Sequence, residues 1–339
     1  MQTPGPSSWL NVIYISIISI IVVCVISNLL KKFPGYDILD ISEFLGGKYL
    51  KIIIGVSYIL LLIFLTTCII KNLSETLRII YFRTSPILFI TLFFIGSSTI
   101  CNKYPLKVIA KANLIISPII FLSIVIILAS SIKNFMPQRI FPILGYGIDK
   151  TFFSGLTNIF SFSGILYLLF LPPLLDKPNK LKRMSIVAVI ISGVYLFLSV
   201  TCLLLSLSFT MHSDESFSLY VLTRNLDYGR FIQRVDAIFI LVWIISIISY
   251  INIPISLCIH IFKKLTNISD INSFNYSINL FILALAIIPI EYSIFTNIFA
   301  KFVQHSFLIL FFVISLPILI ISSLKLKFIN KSRKEQYEN

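Results

Sequence analysis

The residues best suited to hold something polar lie in one apolar run, TFFSGLTNIFSFSGILYLLFLPPLL at 151–175. Asn158, Ser161, Ser163 and Gly164 interrupt its hydrophobicity with small polar side chains or none, and Gly155 stands one turn earlier. In a bilayer the backbone must satisfy its own hydrogen bonds, so irregular chain at that depth survives only where protein buries it or a cavity solvates it. Secondary transporters use such broken helices to bind small substrates near the midplane, with half-helix ends facing the polar groups. Small residues also let helices pack closely. The run by itself leaves binding and packing both open.

Other chemistries are poorly provided for. The sequence contains no P-loop, no metal-ligand cluster and no nucleophile–base pairing, and catalysis needs such a constellation. The expectation is a protein that is not an enzyme and carries no cofactor. His212, His260 and His305 are far apart near segment ends and read as polar caps. Cys24, Cys68, Cys101, Cys202 and Cys258 lie within or at the end of apolar runs, without a CxxC pair, and pack as small hydrophobes. Ionisable groups are almost confined to the ends of the runs, with Asp236 and Glu291 at borders. A proton-coupled pump would show an intramembrane acid or base. Carbonyl and hydroxyl oxygens can still hold Na⁺, but the deficit favours a ligand-binding receptor over a pump.

These residues must be positioned by membrane helices. The chain has 339 residues, 57% hydrophobic and 12% charged, against roughly 25% charged in a soluble domain. Nine apolar runs of spanning length occur, at about 10–30, 52–70, 86–101, 114–132, 151–172, 184–209, 237–262, 278–294 and 303–323, and such runs identify a polytopic all-α membrane protein. The first holds fourteen Leu, Ile or Val, together worth roughly −6 kcal/mol of insertion free energy. The weakest is 278–294, which contains Pro289 and Glu291.

Loop charges set the direction. With the N-terminus outside, 18 Lys and Arg fall on the inner side and 10 on the outer, which puts the C-terminus in the cytoplasm. The net charge of +14 is dispersed over loops, without the stripe expected of a nucleic-acid binder. The chain would begin outside with the uncharged stub MQTPGPSSW, which can be translocated without a signal peptide. An absent upstream helix accounts for it equally well.

Polar segments between the runs have patterns of their own. Helical spacing continues past Ile70 as KNLSETLRIIYF, with Lys71, Glu75 and Arg78 on one face, as in a solvated helix end projecting from the membrane. Between Pro34 and Gly46 the spacing predicts a short amphipathic helix capped by Asp37, with Ile38, Ile41, Phe44 and Leu45 against the membrane. In 210–236, Arg224, Arg230 and Arg234 alternate with Asp227 and Asp236, as on an ion-paired interfacial helix. The tail KLKFINKSRKEQYEN reads as a solvated cytoplasmic end.

Three stretches, in order, carry a resemblance that extends over essentially the whole chain: FPGYDILDISEFLGGK (33–48), FPILGYG (141–147) and LYVLTRNLDYGRFIQRVDAIFILVW (219–243). In the last, Arg224, Gly229, Phe231, Arg234, Asp236 and Trp243 fit the pattern. The sequence resembles the spore germination permease family, the B subunits of GerA-type nutrient germinant receptors, within the amino acid–polyamine–organocation superfamily. The resemblance implies an inverted five-helix-repeat transporter-like fold. The first repeat would be 1–132, the second 151–324, and 325–339 a cytoplasmic tail. On that mapping the first span matches the family's second helix and the family's first helix is missing, as a misassigned start would produce.

The resemblance also implies a role. A small nutrient, an amino acid for instance, would bind beside Asn158, Ser161, Ser163 and Gly164, faced by Thr66 and Thr67 on the second span and by Ser249 and Asn252 on the seventh. The implied partners are an A subunit with a cytoplasmic domain and a C lipoprotein, in the spore inner membrane. Two other roles stay open: an amino acid permease, and a subunit that only assembles its partners.

Overall fold

The computed structural model describes residues 5–175, 180–207, 218–224, 235–268, 271–288 and 295–338. The regular elements among them are all helical: α1 Ser8–Leu30, α2 Ile38–Ile80, α3 Ile87–Cys101, α4 Leu106–Ser130, α5 Leu181–Ser206, α6 Ser218–Arg224, α7 Val235–Thr266, α8 Ile271–Ile287, α9 Ala300–Leu308 and α10 Leu316–Glu338. Seven helical stretches are long and apolar enough to cross a membrane, and two shorter apolar helices, Ile87–Cys101 and Ser273–Ile287, stand where two further spans were expected. The protein is an all-α polytopic membrane protein.

Local chemistry explains the largest element. Asp37 caps α2, accepting from the backbone N–H of Leu39 at 3.0 Å and of Asp40 at 3.1 Å, while the Asp40 carboxylate accepts from Asp37 N at 3.2 Å. This reciprocal box satisfies amides that a helix start leaves without partners. Gly46 and Gly47 then kink the helix, and Gly47 takes φ +73°, a region that suits glycine. The predicted short helix is therefore present as the first two turns of α2. Part of its apolar face, however, meets protein: Ile38, Leu39 and Ile41 are buried, while Phe44 stays exposed, with the Lys325 ammonium 4.8 Å from its ring centroid. Beyond the kink roughly 33 residues run on to Ile80, about 50 Å at 1.5 Å per residue, against about 30 Å of hydrocarbon.

The chain divides into two compact units. One comprises residues 1–21, 110–162 and 186–250, the other 22–109, 163–185 and 251–339, so each draws on both halves of the sequence. In the first, Ile124 and Leu128 of α4 pack with Cys202 and Leu203 of α5, Leu207 and Leu222. In the second, α2 is the central helix, packed by α3, α8 and α10. Its core includes Leu61, Leu65, Phe94, Phe170, Ile255, Ile282, Phe311 and Leu319. The helix after α9 widens to π geometry over Ile309–Ser315. There Ser315 Oγ donates to Leu310 O, five residues back, at 2.8 Å and also pairs with the Tyr58 hydroxyl.

Polar groups stitch the second unit together. Asn102, at the end of α3, donates to Ser98 O at 3.0 Å, and its amide meets Asn252 and Ser256 of α7. Asn275 of α8 donates to Thr99 O at 3.0 Å, and Asn279 donates to Asn275 Oδ1 at 2.8 Å. A buried amide bonded across helices trades an unsatisfied polar group for a specific register.

The expected solvated face at Lys71, Glu75 and Arg78 needs correcting. Lys71 and Glu75 are buried, at 2% and 7% exposure. Lys71 Nζ donates to Ile288 O just past α8 at 2.6 Å and lies 4.5 Å from the Phe295 ring centroid. Glu75 holds Arg78 Nη2 at 2.8 Å. Helical spacing was right, but it cannot tell a face turned to water from one turned to a neighbouring helix. Most of the charge pattern expected over 210–236, with Asp227, Arg230 and Arg234, lies outside the described residues, as do His212, Pro289 and Glu291.

Candidate functional site

The interrupted run forms an irregular helix. Asp149–Phe153 has π geometry and Ser154–Phe170 is a 3₁₀-helix of 17 residues, with Phe162 off helical geometry at φ −100°, ψ 28°. Runs of 3₁₀ longer than three or four residues are uncommon and often mark hinges. The apolar residues supply no period that would favour α over 3₁₀, and Ser161 and Ser163 flank the break.

In the first unit a chain of polar contacts holds the N-terminal half of this helix. Ser7 and Thr151 share a hydroxyl hydrogen bond of 2.7 Å. Asn11, fully buried on α1, donates from Nδ2 to Thr151 O at 2.8 Å and accepts at Oδ1 from Asn158 Nδ2 at 2.8 Å. Gly155 makes room for it: a Cβ there would run into the Asn11 amide. Gly155 and Asn158 thus serve close packing against α1. Ser161 is exposed and the Ser249 carbonyl accepts from Asn113 Nδ2 at 3.1 Å.

Replacing Asn11 by alanine is expected to leave the Thr151 carbonyl and the Asn158 amide without these partners, at about 1–3 kcal/mol each. Thermal unfolding of the purified protein would show it. A melting temperature equal to wild type would mean that water replaces the Asn11 amide without loss.

The remaining proposed ligand residues belong to the second unit. Ser163 is half-buried and Gly164 exposed, with nothing within 4 Å of a Cβ built on it. Thr66 and Thr67 are fully buried on α2 and donate to the carbonyls four residues back, Leu62 O at 2.7 Å and Ile63 O at 2.9 Å. Asn252 joins the Asn102 network. These bonds take Asn158, Thr66, Thr67 and Asn252 to structural partners, whereas Ser161 in the first unit and Gly164 in the second are exposed.

Sequence reasoning missed the most strongly charged cluster. Asp37, with no exposed surface, accepts from Lys264 Nζ at 2.7 Å and lies 3.4 Å from His260 Nε2. Lys264 also pairs with Asp40. Burial alone would push the Asp37 carboxyl up, but His260, Lys264 and the Asp40 backbone together hold it below the usual aspartate range. The loop after α1 and the end of α7 were both assigned to the inner face from loop charges, and this cluster joins them within one unit. Asp37 was legible as a cap, and its partner 227 residues along was not.

Among the described residues no group of three His, Cys, Asp or Glu is placed to hold a metal ion. What the break offers is hydroxyls and an open glycine in apolar surroundings, a setting for a small molecule with a polar end. No curated protein matches the sequence. The family model described as spore germination protein does match, over residues 1–293. Those residues include the capped loop after α1, the irregular helix and its serines, and α7, so the chain that builds this broken membrane helix belongs to the spore germination protein family.

Proposed function

We propose that this germination-related membrane protein is the integral-membrane subunit of a spore nutrient germinant receptor. A small nutrient such as an amino acid binds at the lip formed by Ser161, Ser163 and Gly164, with Asn158, Thr66, Thr67, Ser249 and Asn252 supporting it. An A subunit with a cytoplasmic domain and a C lipoprotein read the response, in the spore inner membrane with the C-terminus cytoplasmic. The reading treats 1–132 and 151–324 as inverted repeats followed by the tail 325–339.

The observation that carries it is the break at Phe162 within an apolar helix. Backbone freed from regular hydrogen bonding at that depth needs other partners, and a ligand's polar end can supply them. The ligand acts through differential affinity for two states, and a break in a long 3₁₀ stretch gives the chain two windings to choose between.

Gly164→Leu tests the site. The position is sterically open, so leucine adds bulk at the lip without displacing a neighbour. Spores in which this variant replaces the native gene are expected to need at least about tenfold more nutrient, a loss of roughly 1.4 kcal/mol, at unchanged accumulation by blot. Unchanged sensitivity would refute the site, and it is the result expected of a subunit that only assembles its partners. Uptake of labelled amino acid by the purified protein in vesicles would make it a permease.

A further inference from the structure

A second polar site lies well along the chain from the helix break. After α4 the chain makes two 3₁₀ turns, Ser131–Asn134 and Pro137–Ile140. This segment is pinned to the end of α5 at one carbonyl. Met136 N donates to Leu205 O at 3.0 Å, and Arg139 Nη1 donates to the same oxygen at 3.2 Å. The last carbonyls of a helix lack intrahelical partners, so the pairing satisfies Leu205 and fixes the guanidinium at the same time.

The two pieces line an open cavity of about 340 Å³. Lys133, Asn134, Arg139 and Ser206 make its polar wall, with Leu207 and Leu222 beneath. Those leucines belong to the buried apolar cluster of the first unit, which makes the floor dry. A guanidinium carries five N–H donors in a planar fork suited to phosphate, and the Leu205 carbonyl takes only one of those on Arg139. Lys133, which makes a further interaction of its own, adds a second cation. Ser206 Oγ is buried with no hydrogen-bond partner. The C-terminal ends of α4 and α5 meet here, at the end of two spanning helices where hydrocarbon gives way to headgroups. A guanidinium and an ammonium brought together at that level suit an anionic headgroup.

We infer that this cavity binds a phosphate group, and the apolar floor beside the cationic wall assigns that phosphate to the head of an anionic phospholipid. Arg139 and Lys133 hold the head, and an acyl chain extends along α4 and α5.

The test uses the full chain purified in uncharged detergent and titrated with phosphatidylglycerol, phosphatidylcholine or inorganic phosphate. Native mass spectrometry reads bound lipid, and thermal unfolding reads stabilisation. Phosphatidylglycerol is expected to be retained and to raise the melting temperature, phosphatidylcholine to do so much less, and inorganic phosphate at equal concentration not at all. Arg139→Gln with Lys133→Gln should weaken phosphatidylglycerol roughly thirtyfold, at about 1 kcal/mol per cation. Lys133→Glu, at an exposed position, should weaken it without disturbing the fold, which covers the case where the double variant does not fold. Equal retention of the two lipids would overturn the proposal, and so would unchanged affinity in Lys133→Glu together with the double variant. Binding of inorganic phosphate as tight as that of the lipid would overturn the lipid assignment.

Discussion

Asp37→Asn is expected to destabilise the protein by about 3 kcal/mol, toward the low end of the 3–5 kcal/mol seen when one partner of a buried pair is removed. Asparagine caps helices as well as aspartate and keeps an oxygen for Leu39 N and Asp40 N, so the substitution isolates the charge from the cap. Lys264 retains Asp40, which keeps the loss at that low end. Thermal unfolding of the purified protein is the measurement, with Lys264→Met and the double variant completing a cycle. A coupling between the two sites near zero would show that Asp37 and Lys264 do not stabilise each other.

The pH dependence has a definite sign. The Asp37 carboxyl is held below its ordinary value in the folded protein, so its contribution to stability is fully present above the unfolded value, about 3.9. It is lost as pH falls through that value toward the folded one, because the unfolded chain then binds the proton more readily. Wild type should therefore lose its advantage over Asp37→Asn on acidification below about pH 4. A gap that stays constant down to pH 3 would mean that the carboxylate is not held in its charged form by Lys264 and His260.

The second large effect is expected at Lys71. Its ammonium is buried between α2 and the chain just past α8, with the Ile288 carbonyl, the Phe295 ring and Glu75 about it. Ionisable groups at membrane depth are costly and are retained where they do something. Lys71→Met keeps the aliphatic stem and removes the charge. It leaves Ile288 O without that donor and Glu75 with one cation fewer, at about 3 kcal/mol. Membrane accumulation should fall and nutrient-triggered germination with it. Lys71→Ala opens space for a small amine, so methylammonium should restore part of the lost melting temperature while sodium at the same concentration should not. Equal recovery with both ions would reduce the effect to general salt stabilisation.

Lys71 also marks the boundary of what could be read from sequence. The apolar runs marked membrane helices clearly, the first through its fourteen Leu, Ile and Val, and seven described helical stretches are long and apolar enough to span. Their ends were not, because α2 continues through Lys71, Glu75 and Arg78 to Ile80. A hydropathy sum treats those charges as the end of the membrane, when two of them are buried in protein. Asn11 was hidden in the same way, as one polar residue in a very apolar run, although it joins Thr151 and Asn158. The capping box at Asp37 is local in sequence and was legible at its Asp37 half, whereas the ion pair with Lys264 depends on tertiary structure alone.

The candidate site was legible to the same degree. Small polar residues in an apolar helix announced irregular backbone, and the break at Phe162 falls between Ser161 and Ser163. Which of them pack and which remain accessible followed only from α1. Gly155 and Asn158 face it, so packing accounts for that part of the pattern, and Ser161 lies exposed beyond it.

The tight winding of that helix has a mechanical side. At about 2.0 Å per residue the eight residues 163–170 beyond the break extend about 16 Å, whereas α winding at 1.5 Å per residue would extend them about 12 Å. Each residue that changed winding would shorten the rod by about 0.5 Å and turn everything beyond it by roughly 20°. Three or four such residues amount to a stroke of about 2 Å with a rotation of some 60–80°. A molecule that favoured one winding at the break would therefore act on the helix beyond it as a screw, converting its binding into axial travel.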